Sequence, residues 1–356
     1  MMEDIIKQPK WKEVQYSRSQ IISAGQIIRN SDSTVEDNKH AIEIIDNWRE
    51  AHAFPLHVIY MHLRRMAESN PRVIVAERLK RLESITSKLR REQSMSLWTM
   101  QDLGGCRVIV ENISDVYRYA EMYDKSKKRH VKKKTYDYIK NPKSSGYRSL
   151  HVVYQYHSDR SEKYNKNMLI EIQYRTHLQH LWATSVETMG LFRKEAIKSG
   201  QGSDDVKRFF LLVSALFSYI EKQPLPPGVP VDIVDILNEI KEINNKHQYL
   251  EFLSGIRVAV DKQSQNLKKN KSVGYSILIL NYDTRRLKII QFGASQIDAA
   301  TTIYNRIEKS KHNLRVDTVL VRVSSFKSLK TAYPNYFSDI GKFINIVKSY
   351  LDAVLI

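Results

Sequence analysis

Two stretches of the chain bring together residue types that can handle a phosphorylated ligand. Residues 137–151 are punctuated by Pro142 and Gly146, carry Lys140, Lys143 and Arg148, and set Tyr147 directly after the glycine. Some twenty residues later, Glu171-Ile172-Gln173-Tyr174-Arg175-Thr176 alternates in a way that puts Glu171, Gln173 and Arg175 on one face of a strand. A cationic loop that permits close backbone approach, an exposed tyrosine ring able to stack on a base, and a neighbouring carboxylate outline a nucleotide site.

The elements that must hold these residues can be read from pattern and composition. The chain has 356 residues, 42% of them hydrophobic, enough for two domains with a core. No run of eighteen apolar residues occurs, and Met1-Met2-Glu3-Asp4 lacks the basic-then-apolar order of a signal peptide. The reading is a cytoplasmic protein without a membrane partner. Cys106 is the single cysteine, which rules out an internal disulfide framework and suits a core thiol. The net charge of +18 is concentrated in residues 125–134, where Lys127, Lys128, Arg129, Lys132, Lys133 and Lys134 crowd just ahead of the Tyr147 loop. Such a run is either a solvated basic loop or a surface that tracks RNA phosphates.

Residues 33–69 read as helices, opened by the capping-box signal Ser33-Thr34-Val35-Glu36 and broken near Pro55. His52, His57 and His62 stand five apart, which spreads them over different helix faces and makes them structural rather than metal-binding. Residues 73–92 read as a helix, 108–110 as a buried strand, 116–123 as a helix, and 150–156 with 168–174 as a hairpin. Helices follow over 177–194 and 204–222; in the first, Trp182 reads as core and Glu187 as a weaker site candidate. Residues 223–230, with four prolines and a glycine, mark a boundary. A helix over 231–253 and a ββαβα unit come next, with strands at 275–281, 287–292 and 318–323 and helices at 295–310 and 337–354. The expected class is α+β: a mixed sheet flanked by helices over residues 1–222, a linker and connecting helix over 223–254, and a small C-terminal domain over 255–356.

Four segments resemble, in order, motifs of the RelA/SpoT-type alarmone synthetase family. Residues 137–151 and 171–176 are similar to its G-loop and catalytic strand. Arg78-Leu79-Lys80, continued by Ser84-Ile85 and Lys88, resembles its ATP-binding segment, and Asp102-Leu103-Gly104-Gly105-Cys106-Arg107 its metal-binding strand. The resemblance implies a nucleotidyltransferase-like synthetase domain that transfers pyrophosphate from ATP to a 3′-hydroxyl. It further implies that Arg78, Lys80, Ser84 and Lys88 bind ATP, and that Asp102 holds Mg²⁺. Glu171 would share the metal or serve as base, Tyr147 would stack on the acceptor base, and His151, Gln173 and Arg175 would line the acceptor side. Each residue has a plainer reading singly: a solvated basic helix face, a turn aspartate before Gly104, a solvent-facing glutamate.

The chain has no room for the hydrolase domain of the long family members. Tyr333-Pro334-Asn335-Tyr336 resembles the Tyr-x-x-Tyr segment of the fused toxin–antitoxin branch called CapRel. That likeness implies a C-terminal domain that blocks the ATP site through Tyr333 and Tyr336 until a phage capsid or other phage protein is sensed. It also implies tRNA, modified at its 3′-CCA end, as acceptor. Two alternatives remain: GDP or GTP as acceptor, and a nonenzymatic RNA-binding sensor. The oligomeric state is not legible.

Overall fold

The computed structural model describes residues 11–30, 32–193, 203–255, 259–260, 274–293, 295–310, 316–322, 326–333 and 340–353. Helices α1 (Arg18–Arg29), α2 (Val35–Ala51) and α3 (Ala53–Ala67) lead into strand β1 (Ile74–Leu79). The cap of α2 falls one residue later than the capping-box reading: the Thr34 hydroxyl accepts from the Asp37 amide at 3.0 Å. Pro55 sits in the first turn of α3, where its missing N–H breaks no helical bond.

The single helix expected over 73–92 is corrected. Its first part is β1, and only α4 (Leu82–Arg91) is helical. Tertiary pairing decides this, because β1 takes hydrogen bonds from a neighbour on each side while Val75 and Leu79 pack toward α3. Next come β2 (Gly104–Val110), α5 (Ile113–Lys125), β3 (Val131–Asp137), β4 (Leu150–Gln155) and β5 (Leu169–Thr176). β4 and β5 form the expected antiparallel hairpin, and β5 runs parallel to β2. The basic run is not all loop, since its second half is β3, paired to β4 with a register shift between Lys132 and Lys134. Exposed lysines suit an edge strand, because charge discourages pairing with another chain.

α6 (His177–Arg193) and α7 (Asp204–Ile220) are followed by α8 (Ile233–His247) and α9 (Tyr249–Gly255). The helix expected over 231–253 is interrupted at Gln248, whose φ of 53° is left-handed. The C-terminal part contributes β6 (Ala259–Val260), β7 (Tyr275–Asn281), β8 (Arg286–Phe292), α10 (Ile297–Lys309), β9 (Val316–Arg322), α11 (Phe326–Ala332) and α12 (Gly341–Ala353). The pattern reading did not anticipate α11.

The strands form one mixed sheet in the order β3-β4-β5-β2-β1-β9-β7-β8-β6. Its two halves meet where Glu77 and Arg78 of β1 pair antiparallel with Arg322 and Val321 of β9. One face of the β4-β5-β2-β1 portion is covered by α3 and α5, which bury Cys106, Val108, Ile170, Ile172 and Tyr174. The opposite face carries the polar residues; α6 and α7 close it at one end and α11 at the other. The proline-rich segment does separate α7 from α8, but α8, α9 and α12 share one apolar core with α6 and α7.

Candidate active site

Sheet register gathers the site. Ala76, Arg107, Gln173, His151 and Tyr136 form one transverse row across β1, β2, β5, β4 and β3, with Arg78, Gly105, Glu171, Val153 and Lys134 in the next. Paired residues share a face, so Arg78, Arg107, Lys134, Tyr136, His151, Glu171 and Gln173 project into one cavity of about 1860 Å³, bounded also by α4, α6 and α7.

One wall is cationic. Arg78 lies near the end of β1, and Lys80 follows it, anchored by its amide to the Leu103 carbonyl at 2.8 Å. The i, i+2 spacing keeps Arg78 and Lys80 on one side, but on a strand end rather than the helix first expected. Lys80 Nζ donates to Asp102 Oδ2 at 2.8 Å and Lys88 Nζ to Oδ1 at 3.2 Å. Burial would raise the Asp102 carboxyl, but the two ammonium groups outweigh it and hold it at about 2. Burial likewise lowers Lys80, against the pull of Asp102. From α4, Ser84, Ser87, Lys88 and Arg91 line the cavity at i, i+3, i+4 and i+7. Ser87 and Arg91 were missed, although that spacing was legible.

The other wall is a closed ring of hydrogen bonds. Arg175 Nη2 donates to Gln173 Oε1 at 2.8 Å, Gln173 Nε2 to Glu171 Oε2 at 2.6 Å, and His151 Nδ1 to Glu171 Oε1 at 2.9 Å. His151 Nε2 meets the Tyr147 hydroxyl at 2.8 Å, and Arg175 Nη2 donates to that hydroxyl to complete the ring. Burial opposes the ionised forms of both His151 and Glu171, but Tyr147 and then Glu171 outweigh it at His151, whose pKa is raised, and His151 outweighs it at Glu171, whose pKa is lowered. Glu171 is therefore ionised at neutral pH and able to accept a proton.

Tyr147 requires a correction. Its ring is only 9% exposed, packed by Tyr138 and Trp182, so it is not the open ring the loop pattern suggested. Trp182 is core as expected, with Nε1 donating to the Phe210 carbonyl at 2.7 Å, while Glu187 does line the cavity. His52 is also core, its Nδ1 on the Trp48 carbonyl at 2.7 Å and its pKa pushed down to about 4 by burial.

The basic run is not one continuous phosphate surface, which corrects the grouping of its six cations. Lys128 is directed inward, over the Tyr123 and Tyr154 rings, with its side chain 7% exposed. Lys132 pairs with Asp124 and Arg129 with Asp159 at 2.9 Å. Lys127 and Lys133 are exposed, and Lys134 alone of the six lines the cavity.

Arg107 is a site residue that sequence reasoning quoted within a motif but gave no role. Burial, then Arg175 and Arg78, lower its pKa to about 10. Its Nη1 donates to the Ala332 carbonyl at 2.8 Å, and its guanidinium lies 5.8 Å from the Tyr333 ring centroid. Tyr333 is 3% exposed, its hydroxyl donates to the Glu77 carbonyl at 3.2 Å, and it lines a narrow recess with Arg78, Lys80, Asp102, Arg107, Glu171 and Gln173. Tyr336 lies outside the described residues.

Asp102 and Glu171 face that same recess, and the Asp102 charge works to raise the Glu171 pKa. Two carboxylates with cations around them fit a hard divalent ion whose other ligands are phosphate oxygens and water. Among the described residues no group of three or more His, Cys, Asp or Glu could hold a metal without such help. No described helix is long and apolar enough to cross a membrane.

Comparison with known proteins bears on the same segment. Residues 77–195 match the family model described as "Region found in RelA / SpoT proteins". The chain is 35% identical over 119 residues to the GTP pyrophosphokinase YjbM of Bacillus subtilis, covering 33% of this chain and 56% of the relative. It is 31% identical over 121 residues to the GTP pyrophosphokinase YwaC of the same organism, covering 32% and 56%. The chain thus spans just over half the length of these curated relatives. Among solved structures, small alarmone synthetase 1 of Bacillus subtilis bound to its product pppGpp aligns with 28% identity and a TM-score of 0.42, over 52% of this chain and 94% of that one. Residues 77–195, which hold every residue of the cationic wall and of the ring described above, match a region of the kind found in RelA / SpoT proteins.

Proposed function

We propose that the chain is an ATP-dependent pyrophosphokinase whose acceptor is the 3′-hydroxyl at the CCA end of tRNA. The observation that carries the enzymatic part is the single cavity with cations and Asp102 on one wall and the ring around Glu171 on the other. Arg78, Lys80 and Lys88 would hold the ATP phosphates, with Ser84 beside them. Glu171 would take the proton of the attacking hydroxyl as the 3′-oxygen bonds to the β-phosphorus and AMP departs. Asp102 would hold Mg²⁺, which supplies neutralisation of phosphate charge when bound, and Lys80 and Lys88 would turn from Asp102 to the triphosphate. An intact set of cations and carboxylates speaks against a nonenzymatic sensor.

Lys134, Lys143 and the exposed Lys127 and Lys133 support an RNA acceptor, since a nucleotide needs fewer cations. The second reading, GDP or GTP as acceptor, is favoured by the names of the relatives. Tyr333 supports autoinhibition, because its ring walls the recess onto which Asp102 and Arg107 open. Release by a phage protein would then free the ATP wall and halt translation, as an antiviral response.

The test is transfer of label from γ-³²P-ATP to tRNA and, in parallel, to GDP and GTP, with full-length wild type and Tyr333→Ala. Label on tRNA that rises several-fold in the variant is expected. Label on guanine nucleotides alone would replace the acceptor, and equal label from both proteins would remove the plug.

A further inference from the structure

Unlike the enclosed Tyr147, Tyr136 and Tyr138 present open rings to the cavity. Both are partly exposed and both line the cavity. Their centroids are 5.9 Å apart and their planes within 7°, a parallel pair at positions i and i+2 of the edge strand β3 and its extension. Lys143 Nζ lies 4.3 Å from the Tyr138 centroid, and Lys134 lines the cavity two residues before Tyr136. Tyr136 belongs to no apolar core cluster of the described residues, and its hydroxyl donates to Gln101 Oε1 at 3.1 Å, fixing the ring tip beside the Asp102 segment. Sheet register sets Tyr136 opposite His151, which neighbours Gln173. The aromatic pair therefore continues the acceptor wall outward to the sheet edge.

We propose that Tyr136 and Tyr138, with Lys134 and Lys143, form a stacking subsite for the nucleotide that precedes the reacting one, so that the acceptor is the end of a single-stranded RNA. The inference rests on the RNA-acceptor reading and deepens it. A nucleoside diphosphate has one base, and the ring around Tyr147 and His151 already borders the place it would take. A parallel aromatic pair flanked by lysines beyond that place matches the alternation of base and phosphate along a strand. The cavity, about 1860 Å³, also exceeds the roughly 300–1,000 Å³ of a small-molecule site.

The test compares binding of adenosine monophosphate with that of the trinucleotide CCA, by calorimetry on the full-length wild type, Tyr136→Ala and Tyr136→Phe. Wild type should bind the trinucleotide more tightly, and Tyr136→Ala should cut that preference by about 5- to 150-fold, the loss of one stacked base. Tyr136→Phe keeps the ring and should keep the preference. A preference equal in wild type and Tyr136→Ala, or lost equally in Tyr136→Phe, would overturn the subsite. Label transfer from ATP to CCA-ended RNA by wild type separates the two failures. RNA labelled with no change in preference sinks the subsite alone, whereas label on guanine nucleotides only sinks the RNA reading and the subsite with it.

Discussion

Asp102 shows how a half-buried carboxylate stays charged. Desolvation alone would push its pKa up, and the Lys80 and Lys88 ammonium groups reverse that. Because the folded pKa is depressed, the stabilisation from this cluster is present above the ordinary carboxylate value near 3.8 and is lost as pH falls through about 2. Replacing both lysines with methionine leaves only burial, so the Asp102 carboxyl should titrate above 3.8, read by its ¹³C shift; titration still near 2 would show another partner. Glu171 carries a different expectation. If it takes the proton of the acceptor hydroxyl, Glu171→Gln should lower kcat by about 10²–10⁴-fold with KM for ATP little changed. A variant altered only in KM would make Glu171 a binding group. Asp102, Glu171, Arg78, Lys80 and Lys88 were legible as a set because their spacing within the motifs is specific. Arg107 was not given a role, because a lone arginine in a strand gains meaning only from what stands across the sheet.

At the scale of elements, the loop before β4 depends on Gly146, whose φ is 84°. A β-carbon there would stand 3.0 Å from Ser214 Cβ, 3.1 Å from Trp182 Cζ2 and 3.3 Å from the Leu211 Cα. The left-handed backbone costs a non-glycine residue about 1–2 kcal/mol and overpacking adds about 1–3. Gly146→Ala should therefore lower stability by roughly 2–5 kcal/mol in a denaturant titration, and a change under about 0.5 would mean the loop is not held this way. This glycine was readable from sequence, but β3 was not. An exposed edge strand of Val131-Lys132-Lys133-Lys134-Thr135 buries no face, so it lacks the alternation that marks a strand. β1 was misread because the charged Glu77, Arg78 and Lys80 suit a helix surface, and only its partners on both sides make it a strand.

At the scale of the molecule, the C-terminal part is joined to the rest by more than a linker. The Leu82 amide at the start of α4 donates to Glu308 of α10 at 3.1 Å, which places an acid at that helix N-terminus. Arg49, 1% exposed, pairs with Asp46 at 2.5 Å and with Glu308 at 3.2 Å, and Arg81 pairs with Asp317. The C-terminal part thus touches the cationic wall at Arg81 and Leu82, between Lys80 and Ser84. Removing the chain from Pro224 onward would strip α8, α9 and α12 from the core of α6 and α7 and uncover Phe209, Phe210, Val213 and Phe217. The fragment should bind a hydrophobic dye and lose a cooperative thermal transition. A sharp transition would show instead that the proline-rich boundary also divides the packing.

Sequence by itself marked the candidate site residues and determined the α+β class and most element types, because motif spacing and hydrophobic periodicity are local properties of the chain. It also marked residues 223–230 as punctuation. The tertiary structure alone decided that β9 joins β1, so that the two halves share one sheet, and that Tyr333 lies against Arg107. It also decided that Tyr147 is enclosed while Tyr136 and Tyr138 stay open. Those outcomes depend on residues up to 256 positions apart meeting across strands and cores, as Tyr333 meets Glu77. No local pattern encodes which distant partner a β-strand edge or an aromatic ring will find.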